Sequence, residues 1–306
     1  MAAAKGSYTY PTEIDDDDHR DVLKNKFGVR THSELREREY PATFERQVRM
    51  RLGEGPTGNF DEAHLKAVHR FLFEEVFEWA GHFRNERVRV EGQQVEPVGA
   101  MSKGGDHFLH GSRIEMGLNE ALRPIRNRDV LRGSTPRGFA EVAGAVMGEL
   151  NYVHPFREGN GRTTEAFIAA LGREYGHEVR FSLISEPRMI AVSKETSANP
   201  SSQAMIQLIY DATDPGRQTA LQAVFDDLRR LGEDPLEHDV RTAQPGEVVS
   251  GQILGSDARH VWLVTDTGVV VGGRADLPAD LPSDDRDITF EARFDFARAS
   301  GGERPD

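Results

Sequence analysis

A chain of 306 residues suffices for one large domain or two ordinary ones, and 37% hydrophobic against 29% charged residues rules out wholesale disorder. With 38 Lys+Arg against 51 Asp+Glu the net charge is −13, which disfavours nonspecific binding to DNA, RNA or anionic lipid, because phosphate contacts need clustered cations. The absence of cysteine excludes disulfides, thiol nucleophiles and Cys-ligated zinc; no apolar run approaches the roughly 20 residues that span a bilayer, and no export-signal pattern opens the chain.

Residues 1–20, with Asp15 to Asp18, read as an acidic, solvated arm. Gly53-Glu54-Gly55-Pro56-Thr57-Gly58 matches the three-glycine dinucleotide pattern, but it follows a helical stretch and contains a proline, so it reads as an ordinary loop. Leu65, Val68, Leu72, Phe73, Val76 and Trp79 recur at helical spacing and predict a helix over His64 to Trp79. Val88, Val90 and Val95 alternate around Glu91-Gly92-Gln93, which predicts a β-hairpin over Arg87 to Val98. His107 and His110 lack a third ligand for zinc. Leu118 to Ile125 adds a helical stretch. Phe139, Val142, Ala143, Val146, Met147, Leu150 and Val153 then define a helix that must stop before Pro155. A second helix, with Phe167, Ala170 and Leu171 on its buried face, closes at Gly176. Ala204 to Leu231 is helical again. Near residue 240 the character changes to short β-rich runs around Val248, Val261 to Val264 and Val269 to Val271, with turns at Gly255-Ser256-Asp257 and Asp266-Thr267-Gly268. The expected organisation is an arm at 1–20, a helical domain at 21–235, a linker at 236–246 and a small β domain at 247–300. From residue 241 onward, 7 Lys+Arg face 12 Asp+Glu, and Trp262 reads as core, so the tail suits an interaction or spacer module better than a nucleic-acid binder.

The chemistry concentrates in His154-Pro155-Phe156-Arg157-Glu158-Gly159-Asn160-Gly161-Arg162-Thr163. Gly159 and Gly161 let backbone amides point into one concavity, and Asn160 can cap the helix that follows. The free amides and dipole at that helix start form an anion site. Arg162 in the first turn adds a forked cation for phosphate oxygens. Glu158 is a hard oxygen ligand suited to Mg²⁺, and His154 can take a proton near neutral pH. One loop thus holds a phosphate cradle, a cation, a metal ligand and a base. The bland alternative is a helix–helix turn with a satisfied histidine.

His154 to Arg162 resembles the signature of Fic proteins, His-x-Phe-x-(Asp/Glu)-Gly-Asn-Gly-Arg, at every position. Trp79-Ala80-Gly81-His82-Phe83-Arg84 is similar to the segment leading into that family's flap hairpin. Gly176-His177 with Phe181-Ser182-Leu183 resembles the Fic modules of Bartonella effectors and related conjugation-linked toxins. The resemblance covers most of residues 8 to 300. It implies a mainly α fold: a Fic-type helical core (21–235) with a β-hairpin flap, followed by a small oligonucleotide-binding-type (OB-like) β-barrel. It also implies transfer of AMP from MgATP to a Ser, Thr or Tyr hydroxyl of a target protein. His154 would be the base and Glu158 the Mg²⁺ ligand. Phe156, Gly159, Asn160, Gly161, Arg162 and Glu165 would form the nucleotide site, and Val88, Arg89, Val90 and Val95 the target-docking flap. The partners so implied are a target protein and a small antitoxin-type inhibitor, with no nucleic acid and no membrane. The location implied is the bacterial cytoplasm, with translocation into a recipient or host cell.

The sequence departs from the family in one place. Where the pattern continues with a second arginine that contacts the γ-phosphate, this chain has Glu165, three residues after Arg162 and on the same helix face. Three readings follow: an adenylyl transferase, a Fic-type transferase with another nucleotide or diphosphate donor, and a catalytically silent binding protein. The family's inhibitory Ser/Thr-x-x-x-Glu-Gly/Asn pattern is not found in this sequence.

Overall fold

The computed structural model describes residues 6–103, 105–199, 202–277, 287–294 and 296. The chain divides into two compact units, Met1–Arg132 with Val146–Glu174, and Gly133–Ala145 with Tyr175–Asp306.

The first unit is a helical core. It contains α1 (His32–Arg51), α2 (Glu62–Phe73), α3 (Ile114–Ala121), α4 (Arg123–Arg126), the C-terminal half of α5 (Pro136–Val153) and α6 (Asn160–Glu174). Thr31 and Asp61 start α1 and α2 by accepting the amides of Glu34 and His64 on their side chains. α2 turns Leu65, Val68, His69, Leu72 and Phe73 inward and packs on α1 and α6. It ends at Phe73 rather than at the expected Trp79. Val76, Phe77 and Trp79 are buried all the same, with the Phe77 and Trp79 rings stacked at 4.5 Å, so their helical spacing records burial in a turn.

Strands β1 (Val88–Val90) and β2 (Gln93–Val95) form the expected hairpin. Its two-residue turn, Glu91-Gly92, has φ +50° and +73°, the left-handed pair that a type I′ turn requires. A second small hairpin joins β3 (Ser102–Lys103) to β4 (Asp106–His107). The N-terminal segment departs from a solvated arm. Residues 11–17 are exposed, but Tyr8 and Tyr10 are buried, Tyr8 meets Trp79 edge-on, and Gly6 donates its amide to Gln94 O on the outer edge of β2. The aromatic pair anchors what the acidic run alone would leave in water.

The second unit holds α7 (Glu186–Ala198), α8 (Ala204–Thr213), α9 (Pro215–Arg230) and a five-stranded sheet. The helical run over 204–231 breaks at Asp214-Pro215, where Asp214 caps α9 and Pro215 opens it. The sheet comprises β5 (Val240–Thr242), β6 (Val248–Ser256), β7 (His260–Thr265), β8 (Gly268–Gly273) and β9 (Asp287–Glu291), in the order β5-β8-β7-β6-β9. Within this sheet β5 and β8 pair in parallel, and the other described pairs are antiparallel. Strand alternation sends Trp262, Val269 and Val271 to one face, against Leu221, Val224 and Phe225 of α9, and Val261, Leu263 and Val270 to the other. Trp262 is 2% exposed and donates Nε1–H to Asp227. The edge strands β5 and β9 do not pair with each other among the described residues. Of the expected β domain at 247–300, residues 278–286, 295 and 297–300 lie outside the described residues.

The expected linker at 236–246 is instead structural, because it contains β5. The buried Asp211 carboxylate of α8 accepts Arg188 of α7 at 2.6 Å, Arg217 of α9 at 3.0 Å and the Thr242 hydroxyl of β5 at 2.5 Å. Burial pushes this carboxyl up, but the two arginines and Thr242 together hold it below the ordinary carboxylate range. The same ties group α7 to α9 with the sheet, whereas helical periodicity placed them with the preceding domain.

Candidate active site

The loop between α5 and α6 is held from several directions. His154 has φ +47°, a left-handed conformation that reverses the chain where Pro155 forbids further helix. Its amide still donates to Leu150 O at 3.0 Å, and its ring stacks on Phe108 with centroids 3.7 Å apart and planes 9° apart. Arg84 holds its carbonyl. The Arg84 side chain, 0% exposed, donates Nε to His154 O at 2.8 Å, Nη1 to Val98 O at 3.1 Å and Gly99 O at 2.9 Å, and Nη2 to Leu109 O and, at 3.4 Å, to Val153 O. Burial lowers the Arg84 pKa from its ordinary value.

Phe156, expected among the nucleotide-binding residues, is 1% exposed, stacked on His69 at 3.9 Å and packed near Phe83 at 5.1 Å. Its ring is an anchor and offers no face to a ligand. Asn160 also differs from the expected cap. Its Oδ1 accepts the Phe156 amide and its Nδ2 donates to Phe156 O, each at 2.9 Å, so it staples the loop. The first amides of α6 therefore receive no cap from Asn160, and a helix's opening N–H groups lack intrahelical partners. The hydroxyl and amide of Thr163 both donate to Gly159 O, at 2.7 and 3.0 Å.

The two loop glycines serve different ends. Gly159 has φ +80°, and a Cβ there would lie 2.5 Å from the Phe73 ring. A Cβ on Gly161 would meet no atom within 4 Å. Nothing in the protein demands that glycine, and it leaves the start of α6 open to an incoming group.

Glu158 is fixed through its backbone. His69 Nε2–H donates to Glu158 O at 3.0 Å, and its Nδ1 accepts the Gly81 amide at 2.9 Å. The ring is thereby held neutral in one tautomer, and burial pushes its pKa down to about 3. The Glu158 carboxylate is half-exposed, with Oε1 3.9 Å from Arg162 Nη2. Arg162 is gripped from α1 and α2: Nη2 meets Glu39 at 2.6 Å, Nη1 meets Thr43 at 3.3 Å, and the guanidinium lies 4.6 Å over the Phe73 ring. Glu158 and Arg162 line a cavity of about 270 Å³ with Leu23, His32, Leu35, Arg36, Glu39 and Tyr40. Glu165 does not line that cavity. Burial pushes its carboxyl up to about 7, although Arg51 and Arg162 pull it down.

The structure thus gathers His154, Glu158 and Gly159 on one loop with Gly161 and Arg162 in the first turn of α6, and turns Phe156 inward. Val88, Val90 and Val95 of the flap hairpin are buried as well, and Arg89 alone of the four expected docking residues projects its side chain outward. His69, Glu39, Thr43, Arg36 and Phe108 were not singled out from the sequence. Only His69 left a signal, as a histidine on the apolar stripe of α2 between Leu65 and Phe73. No group of three or more metal-binding side chains occurs among the described residues, and no described helix is long and apolar enough to cross a membrane.

Residues 59–171 match the Fic/DOC family profile. A protein adenylyltransferase of Bartonella henselae is 28% identical over 291 residues, which cover 93% of this chain and 52% of the relative, so the chain spans about half of that protein's length. The type IV secretion system effector protein BepA superposes with a TM-score of 0.79 at 28% identity, covering 94% of this chain and 96% of that structure. BepC of Bartonella tribocorum, solved with bound AMPPNP, gives a TM-score of 0.59 at 36% identity over 63% of this chain and 92% of that one.

Proposed function

Because this chain belongs to the Fic/DOC family, we propose that it transfers AMP from MgATP to a Ser, Thr or Tyr hydroxyl of a target protein. The observation that carries this reading is the α5–α6 loop. It ends at the start of α6, where Asn160 turns both its polar atoms to Phe156, begins at His154 and sets Glu158 and Arg162 on one cavity. In the proposed reaction the imidazole of His154 accepts the hydroxyl proton. The target oxygen forms a bond to the α-phosphorus, the bond from that phosphorus to the bridging oxygen breaks, and pyrophosphate leaves with the electron pair. The amides opening α6 and the Arg162 guanidinium face the phosphate charge, where fixed donors lower the barrier.

One half-exposed carboxylate is a fitting protein ligand for Mg²⁺, which takes most of its remaining oxygens from substrate phosphates and water. Glu158 would hold the ion, and the ion when bound neutralises phosphate charge. By resemblance, the same reading includes a small antitoxin-type inhibitor, a bacterial cytoplasmic origin with translocation to a recipient or host cell, and an OB-like interaction module in the β unit.

Glu165 favours one second reading, in which the donor is a nucleotide or diphosphate conjugate without a γ-phosphate. The test incubates the protein with α-labelled nucleotides and candidate lysates. Label transfer from ATP that drops about 10²- to 10⁴-fold in His154→Ala is expected. Undiminished transfer by His154→Ala would refute the mechanism, and transfer from another donor alone would support the second reading.

A further inference from the structure

Three nitrogen-bearing side chains line the cavity beside the α5–α6 loop: Arg162, His32 and Arg36. The first two are engaged by the protein itself. Arg162 is held by Glu39 and Thr43 and lies 3.9 Å from Glu158. His32 Nε2–H donates to Arg20 O at 2.8 Å. Arg36 is exposed on the first half of α1 and makes no hydrogen bond or ion pair among the described residues. The carboxylates on the same cavity are Glu39 and Glu158, and Glu39 is matched to Arg162. Glu165, where a second phosphate-binding arginine would be expected, brings no positive charge from α6.

The cavity's size is informative too. Ligand pockets for whole small molecules run to roughly 300–1,000 Å³. A space of about 270 Å³ suits part of a nucleotide, and its charged lining suits the phosphate end. Arginine presents a fork of N–H donors that matches phosphate oxygens and forms charge-assisted bonds.

We propose that Arg36 binds the outer phosphates of the donor nucleotide, supplying from α1 the charge that α6 lacks. This rests on the nucleotide reading of the loop. It assigns α1 a part in recognising the donor, and it predicts discrimination by phosphate number: ATP and ADP reach Arg36, whereas AMP ends short of it.

The test titrates ATP, ADP and AMP, with Mg²⁺, into the full chain and into Arg36→Ala and Arg36→Lys by calorimetry, with thermal melts as a check on folding. Arg36→Ala should weaken ATP and ADP about tenfold or more, the loss of one charge-assisted hydrogen bond, and leave AMP unchanged. Arg36→Lys should recover part of the loss. Equal affinities of wild type and Arg36→Ala for ATP, or equal weakening of all three nucleotides, would overturn the proposal while leaving the nucleotide reading in place. Failure of the wild-type chain to bind any of the three would overturn both.

Discussion

The carbonyl oxygen of His154 accepts a 2.8 Å hydrogen bond from Nε of Arg84, a guanidinium with no exposed surface. The same guanidinium also reaches Val98, Gly99, Leu109 and Val153, so one side chain ties the base of the flap hairpin and the segment before α3 to the residue proposed as the base. Its partners are all carbonyls. A buried charge in such a setting is stabilised only by bonds that fit its geometry.

Arg84→Lys should therefore fail as a conservative change. An ammonium carries three donors on a flexible stem and cannot span this set of carbonyls. A loss of roughly 3–5 kcal/mol in unfolding free energy is expected, from about two charge-assisted hydrogen bonds at roughly 1.5–3 kcal/mol each. Urea unfolding would measure it. A variant as stable as wild type would show that the carbonyl cage is incidental.

The burial of His69 makes stability depend on acid. In the folded chain its pKa is pushed from 6.5 to about 3, so the unfolded chain binds the proton first. Stability from this group is fully present above about 6.5, is lost as pH falls toward 3, and amounts at its limit to about 5 kcal/mol. Gln at position 69 keeps a donor and an acceptor without titrating. His69→Gln should flatten the decline in chemical-denaturation midpoints between pH 6.5 and pH 4. An unaltered slope would mean that other groups dominate acid unfolding.

These two residues mark where the sequence stops being legible. The nine residues from His154 to Arg162 are contiguous, so their chemistry and the helices on either side follow from local spacing and turn propensities. Arg84 and His69 act on that loop across 70 and 89 residues. Nothing in a single chain announces which distant carbonyl a buried donor will meet. Asn160 shows the converse: its type and position suited a helix cap, yet tertiary closure of the loop directed both its polar atoms to Phe156. The boundary near 240 was misplaced for a similar reason, since β5 finds its parallel partner β8 through a long-range pairing with no periodic signature.

Register within the flap sharpens the docking test. With a two-residue turn at Glu91-Gly92, Val90 and Gln93 form the hydrogen-bonded pair next to the turn, as do Val88 and Val95 further on. Arg89 and Gln94 then direct their backbone groups outward. Gln94 O is already taken by Gly6, which leaves the Arg89 edge for an added strand. Proline at Val88 or Val90 would break the hairpin itself. Arg89→Pro removes only the outward donor, and it should reduce target modification while leaving MgATP affinity unchanged. Calorimetry beside a labelling assay would check both halves, and full labelling by Arg89→Pro would dismiss the edge as a docking element.

Glu165 gives a pH test of the proposed site. An ionised carboxylate about 5 Å from a phosphate charge costs roughly 3 kcal/mol at an effective dielectric of about 20, but a protonated one costs far less. Because burial raises the folded pKa from 4.5 to about 7, the group is largely neutral at pH 6 and largely charged at pH 8. Its sign is opposite to that of His69: the contribution to stability is complete below about 4.5 and is lost as pH rises through about 7, by at most about 3 kcal/mol. Two measurements follow. Unfolding free energy of wild type should fall relative to Glu165→Gln between pH 5 and pH 8. MgATP affinity should weaken over pH 6 to 8 in wild type, stay level in Glu165→Gln, and be highest in Glu165→Arg, where a cation replaces the carboxyl. Parallel affinity profiles for wild type and Glu165→Gln would place this side chain beyond electrostatic reach of the phosphates, in keeping with its absence from the cavity lining, and would leave Arg162 and Arg36 as the cations to test.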